Sequence, residues 1–379
     1  MHRRKLLTLI SMTVLMVLVA VSVLAACAAP SPSPSPSPSP SPSPSPSPSP
    51  TATPPPAEEV LKWKMQHWWG AGEHWLFEMF QQRIEEMSGG RIVIDQLYWD
   101  GGLVPWNETH NALRAGTLDI IFDWGEPWID TMPVGNVEYI SSMLSKNIQQ
   151  SWVLFGGYSG HGFGFTELMR EEYLEKEGVY YIAPHFSDHS TFFLKDPIEK
   201  YDDLKGRRLW TSRVLGKIME KVGMVSVVIP PEELYTSMAS GIIDGVEWGG
   251  CACGWDMGWH EVAKYVTFPH VLPTVTASYT MMPDTWEELP DDLKYIVEAA
   301  VIMNSNDMRT AYRYREQEKL AIMIADFGVT PIYLPEEEQE YYKELVLQTL
   351  DEYMEVDELS RDAGEIVKAW LKHFEGAAQ

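Results

Sequence analysis

Apolar and polar positions alternate with a period of two over "VLKWKMQHW" (60–68) and "RIVIDQLYW" (91–99), which predicts a strand at each place. Between them, "HWLFEMFQQRIEEMSGG" sets Trp75, Phe77, Met79, Phe80, Ile84 and Met87 roughly on one helical face and stops at Gly89. Further strands are predicted at "LDIIFDW" and at "GVYYIAPHF" (178–186). "KIMEKVGMVSVVIP" reads as helix into strand, and "PEELYTSMASG" as a helix with proline at its start and glycine at its end. This βαβα rhythm predicts an α/β fold with helices covering sheets.

After Pro290 the chain runs from Asp291 to Phe327 without proline or glycine. Asp291 and Asp292 stand at its start, where negative charge suits the helix dipole. A helix of that length spans more than about 50 Å, longer than one lobe needs, so it is expected to run along two as a spine. The segments "PEEEQEYYKELVLQTLDEYMEV" and "SRDAGEIVKAWLKHFEG" predict one or two closing amphipathic helices.

Two stretches share a pattern. "AGTLDIIFDWG" (115–125) and "SGIIDGVEWGG" (240–250) both read small-Gly-x-aliphatic-Asp, then an apolar run that reaches tryptophan and glycine. Gly116 and Gly241 are natural helix C-caps, and Asp119 and Asp244 would open the strands that follow. The repetition fits two lobes built on similar plans; convergence of short helix-to-strand turns is the plainer alternative.

The N-terminus changes the setting. "MHRRKLL" is followed by an apolar stretch to Ala26 and then Cys27, a charged region, apolar core and small residues before a cysteine. That describes a secretory signal, with a permanent membrane-spanning helix as the competing reading. The "LAAC" ending resembles a bacterial lipobox, in which Cys27 would be lipidated. Alternating Ser-Pro up to about Pro56 has nothing to bury and predicts an extended tether. From Glu58 onward the chain exceeds what one core usually serves, so two lobes are expected.

Charge excludes some partners. Lys+Arg number 29 against Asp+Glu 54, a formal net charge of −25, and loss of Arg3, Arg4 and Lys5 with the leader makes it more negative. Such a chain is poorly suited to nucleic acid or anionic lipid, and it would repel a small anion unless a local cation compensates. Besides Cys27 there are Cys251 and Cys253, too close in sequence for an ordinary disulfide and without visible soft metal partners. No Gly-x-Ser-x-Gly, His-Glu-x-x-His or phosphate-binding glycine loop is present.

Residues 202–250, "DDLKGRRLWTSRVLGKIMEKVGMVSVVIPPEELYTSMASGIIDGVEWGG", resemble the solute-binding proteins of TRAP transporters, the DctP family. So do "LVPWNETHNAL" (103–113), "ALRAGTLDI" (112–120) and "TWEELPDDLKYIVEAA" (285–300), and the likeness is collinear from Trp63 to Gly328. The resemblance implies a two-lobed, periplasmic-binding-protein-like α/β fold of the class II type, with a long spine helix spanning both lobes. It implies a lipid-tethered receptor, monomer or homodimer, that closes over a small organic acid and hands it to membrane permease subunits. On that plan 1–27 is the leader with Cys27 and 28–57 the tether. Lobe I takes 58–185 with a crossing segment at about 269–289; lobe II takes 186–268 with about 290–335; and 336–379 packs across both.

"GIIDGVEW" followed by "HEVAKYVTFPHV" looks closest to the branch that binds 2-oxo acids and lactate with a metal ion. That likeness implies Glu247 as a carboxylate ligand, Trp248 as a carbonyl ligand and Asp188 as a further oxygen, a set suited to Ca²⁺ or Na⁺ bridging the ligand. A structural ion pair of Glu247 with Arg207 or Arg208 is the alternative. Most relatives carry a carboxylate-binding arginine where this chain has Trp210; Arg208 or, by preference, Arg213 in the following turn could replace it. Trp68, Trp124, Trp210 and Trp248 are the expected flat walls for the ligand, among eight tryptophans (with Trp69, Trp99, Trp128 and Trp255) near predicted strand ends. His67, His185 and His189 are weaker candidates. Two other functions share these residues: a sensor presenting its ligand-bound form to a signalling receptor, and a secreted metal-assisted hydrolase using Glu247, Asp188 and a histidine such as His189.

Overall fold

The computed structural model describes residues 60–156, 161–187 and 189–376. The chain divides into two units, Met1–Ala57 and Glu58–Gln379, and all described structure belongs to the second. The leader, Cys27, the Ser-Pro tether and Asp188 lie outside the described residues.

Along the chain the strands are β1 (Leu61–His67), β2 (Ile92–Tyr98), β3 (Ile120–Asp123), β4 (Tyr180–Phe186), β5 (Ser190–Leu194), β6 (Arg208–Trp210), β7 (Val225–Ser226), β8 (Gly245–Gly249), β9 (Tyr265–Phe268), β10 (Thr276–Met281) and β11 (Thr330–Tyr333). They form two sheets, ordered β2-β1-β3-β10-β4 and β11-β9-β5-β8-β6-β7. In the first, β1 runs parallel to β2 and β3, and β10 enters antiparallel between β3 and β4. In the second, β6 is parallel to β7 and β8, while β5 lies antiparallel between β8 and β9. The chain therefore passes between sheets three times: from β4 to β5, from β9 to β10, and from β10 to β11 through a long helix. The first two passages bond to each other, Ser187 N–H donating to the Val275 carbonyl and Ser190 N–H to that of Leu272, each at 2.9 Å.

The repeated turn has one physical basis in both sheets. Gly116 (φ 68°) and Gly241 (φ 78°) adopt the left-handed conformation that ends the preceding helix. Asp119 then donates its N–H to the Lys64 carbonyl at 2.9 Å, and its carboxylate accepts the Lys64 N–H at 2.8 Å. Asp244 makes the same pair of bonds with Arg208, both at 2.8 Å. Each aspartate thus closes the parallel ladder at the start of β3 or β8, in register with the neighbouring strand.

Strand residues alternate between two buried faces. Ile121 of β3 points into a core shared with Phe192, Leu194 and Leu209 of the second sheet, whereas Ile120 and Phe122 face a different cluster. The shared core runs beneath the helices Glu336–Met354 and Glu358–Gly376, which contribute Leu345, Val346, Leu350 and Trp370. On the opposite side the spine helix Asp291–Phe327, 37 residues long, extends about 55 Å. It buries Val297, Val301, Met308 and Tyr312 against the first sheet's cluster and Met323 against the second's. The helix His74–Ser88 ends at Gly89 as expected, but Leu76 rather than Trp75 enters its buried face. The apolar arc of that helix is wide, so spacing alone left its rotation open; Trp75, Met79 and Met87 pack at its margin. Cys251 and Cys253 are both buried. No helix among the described residues is long and apolar enough to cross a membrane.

Candidate ligand-binding site

Glu247 is the middle residue of β8, opposite Phe192 of β5, with 4% of its surface exposed. Its Oε2 accepts the N–H of Ser212 at 3.0 Å, and its Oε1 is bonded by the Ser190 hydroxyl. The same hydroxyl lies 2.6 Å from the Trp248 carbonyl oxygen. One hydroxyl carries one proton, so Ser190 Oγ faces two acceptor oxygens, Glu247 Oε1 and Trp248 O, and donates to one at a time. Burial raises the Glu247 carboxyl above its usual range, and the bonds from Ser190 and Ser212 oppose that rise.

Among the described residues no arginine answers this carboxylate. The Arg207 guanidinium donates to the carbonyls of Asp196 and Pro197, and that of Arg208 to the Gly241 carbonyl and Asp244. Both point to the end of the sheet where β6 begins, away from Glu247, which removes the structural ion pair as an explanation. Arg213 is also corrected. It is the first residue of the helix Arg213–Glu220, and its half-exposed guanidinium grips Asp130 at 2.9 and 3.2 Å instead of turning inward. An exposed carboxylate offers a guanidinium a bidentate partner without the loss of hydration that an inward position demands.

The turn before that helix nevertheless joins the two sheets. Arg213 N–H donates to Glu126 Oε1 at 2.7 Å, so the turn following β3 meets the turn following β6. Glu126 is 8% exposed, and burial raises its carboxyl against the pull of Arg213. Glu247 adds to that rise, and buried Tyr139 feels both acids. Sequence reasoning missed Glu126, Tyr139, Ser190 and Ser212. Only "DWGEPW", an acid flanked by tryptophans just past a strand, offered a signal for Glu126.

The tryptophans gather in two groups. Trp68 and Trp124, at the C-terminal ends of β1 and β3, have ring centroids 4.5 Å apart, and Trp106 and Trp128 join them at 4.9 and 6.0 Å from Trp68. The Trp68 indole N–H is buried and has no hydrogen-bond partner. Trp210 packs on Trp248 at 5.3 Å and donates its indole N–H to the Ile229 carbonyl at 3.0 Å. Trp124 and Trp248, one from each sheet, pack against the same core cluster. His67 and His185 are absorbed into packing: His67 stacks on Phe77 and bonds His74, and His185 bonds Asn304. Burial lowers each to about 3. Behind β3, His110 bridges Asp123 at 2.7 Å and Glu177 at 3.1 Å.

Two sheets, three passages between them and a helix along both are one topology, and its sequence has a match. The profile described as bacterial extracellular solute-binding protein, family 7, covers residues 70–357. The chain belongs to this family. A monocarboxylate 2-oxoacid-binding periplasmic protein of Nostoc sp. is 24% identical over 271 residues, 70% of this chain and 72% of its own length. The fold is shared with a TRAP periplasmic solute-binding protein of Chromohalobacter salexigens with bound (S)-(+)-2-amino-1-propanol, at 24% identity and a TM-score of 0.72, covering 84% of this chain and 98% of that one. It is shared too with a TRAP solute-binding protein of Bordetella bronchiseptica, a mixed-occupancy dimer with copurified calcium and picolinate, at 21% identity and a TM-score of 0.73 over 84% and 94% of the two chains.

As a family 7 solute-binding protein the chain has the two-lobed periplasmic-binding-protein fold with its spine helix. The site assembled above lies where such a fold brings its strand ends together: Trp68, Trp124 and Glu126 from one sheet, Trp210, Ser212, Glu247 and Trp248 from the other. Arg208 is not brought to it. The chemistry available there is recognition by oxygen donors and flat apolar rings.

Proposed function

We propose that this protein is the extracytoplasmic receptor of a TRAP-type transporter, anchored through Cys27, that captures a small organic acid of the 2-oxo or 2-hydroxy carboxylate class and delivers it to a membrane permease. The reading assigns Trp68, Trp124, Trp210 and Trp248 to the ligand's apolar body. It assigns Glu247 and the Trp248 carbonyl, with Asp188, to a bridging Ca²⁺ or Na⁺. One observation carries it: two acceptor oxygens, Glu247 Oε1 and Trp248 O, converge on one hydroxyl oxygen. That all-oxygen donor set fits a hard cation. When bound, such an ion would supply the positive charge that the carboxylate of a ligand requires in an acidic protein. Trp68 N–H is available as a donor to the ligand. The Nostoc relative's 2-oxoacid and the Bordetella protein's calcium and picolinate support this class.

A second reading follows from the arginines. With Arg207, Arg208 and Arg213 held elsewhere, the buried acids Glu126 and Glu247 beside stacked indoles suit a small ammonium ligand without any metal. The Chromohalobacter protein holds an amino alcohol.

Thermal melts of the full chain separate the two. A ligand at a hundred times its Kd adds about 2.7 kcal/mol, a rise of roughly 4 °C for a folded unit of this size. Pyruvate or lactate with Ca²⁺ is expected to give that rise, and Glu247→Gln is expected to weaken metal and acid together by roughly tenfold or more. A rise with amino alcohols that ignores Ca²⁺ would select the second reading instead. If Glu247→Gln leaves acid affinity unchanged, the bridging cation is refuted.

A further inference from the structure

We propose that His189, His270 and Glu316 form a site for a first-row divalent transition metal of the Zn²⁺ type, at the point where the three passages between the sheets meet. The proposal is independent of the ligand and cation assigned above. Among the described residues these three are the one group of its kind: one ligand atom from each lies within 4.8 Å of the other two. They are far apart in sequence. His189 stands between β4 and β5, His270 between β9 and β10, and Glu316 on the spine helix. His189 is 1% and Glu316 7% exposed, and the two imidazoles stack with centroids 3.6 Å apart.

Several features suit an ion there. His270 Nδ1 is buried and makes no hydrogen bond. Glu316 is held by the N–H groups of Cys251 and Ala252, both at 2.8 Å, an outer layer of the kind that orients metal ligands. Gly250 leaves the room: a Cβ at that position would fall 2.2 Å from His189 Nε2 and 2.6 Å from Glu316 Oε2.

The donor types choose the metal. Two imidazole nitrogens and one carboxylate are borderline ligands suited to zinc and its neighbours, with a fourth position left open. Ca²⁺ takes about six to eight oxygen ligands, which two imidazoles and one carboxylate do not offer. The competing arrangement is a plain ion pair of His189 Nε2 with Glu316 Oε1, at 3.2 Å. A bound metal would tie together all three interlobe connections and so stiffen the hinge.

The test titrates the metal-free full chain with ZnCl₂ and CoCl₂, with CaCl₂ in excess as competitor. One Zn²⁺ per chain is expected, unaffected by Ca²⁺, with Co²⁺ giving the visible bands of a nitrogen-ligated site. His270→Gln and Glu316→Gln are expected to lower Zn²⁺ affinity at least about a hundredfold, with circular dichroism reporting that they fold. Zn²⁺ should also slow hydrogen exchange in both crossing segments of the unmodified chain, a readout that needs no variant. Equal affinity in folded variants would overturn the site, as would exchange in the crossing segments unaltered by saturating Zn²⁺.

Discussion

An isolated carboxylate is too costly to leave in a protein interior, and the buried acids Glu247, Glu126 and Glu177 are answered in two different ways. Glu247 and Glu126 are answered by backbone N–H groups and a hydroxyl, which hold a carboxylate without cancelling its charge. Glu177 is answered by charge: burial opposes ionisation, but His110, Thr131 and Arg114 hold it down at about 2. His110 shows the reverse. Burial disfavours its charged form, yet Asp123 and Glu177 outweigh burial and raise it above 6.5. A histidine raised on folding stabilises the folded state below its unfolded value, and that contribution disappears as pH climbs through the folded value. Between about pH 6 and pH 8, the unmodified chain is therefore expected to lose more stability than His110→Asn. Denaturant melts at the two pH values measure the difference; parallel losses would show that His110 is neutral in the fold.

At the scale of elements, the helix–glycine–aspartate–strand unit is the clearest case of local sequence dictating local structure. A left-handed glycine ends the helix, and the aspartate side chain takes a backbone N–H of the adjacent parallel strand. Asp119→Ala and Asp244→Ala are each expected to destabilise by about 1–3 kcal/mol, because each leaves the N–H of Lys64 or Arg208 without its acceptor. Chemical denaturation reads both; a loss confined to one would mean that the two units share sequence but not energetics. Such turns were legible because every partner is a neighbour along the chain or along one ladder. The rotation of His74–Ser88 was not, since within a wide apolar arc the buried stripe is chosen only by what the helix packs on. Arg213 failed for a related reason: its head group went to Asp130, which no local pattern links to the turn after β6.

At the scale of the molecule, one apolar core underlies both sheets on the side of the C-terminal helices. Trp370 is fully buried there and donates its indole N–H to the Gln150 carbonyl at 2.8 Å. Trp370→Ala is expected to cost about 3–5 kcal/mol while unfolding remains a single transition, as scanning calorimetry would record. Two separated transitions would show that the lobes do not share their stability through this core.

Read alone, the sequence determined what depends on neighbours: strand and helix periods, the proline-free spine, the paired glycine–aspartate turns, and a Glu-Trp pair on a strand. Those features follow from backbone geometry, which each short segment carries within itself. Tertiary structure decided which polar groups meet. Ser190 against Glu247, Glu126 against the turn at Arg213, and His189, His270 and Glu316 at the hinge come from segments far apart in the chain. Hydrogen bonds and coordination act over a few ångströms, so only the folding of the three crossings could bring those groups into contact.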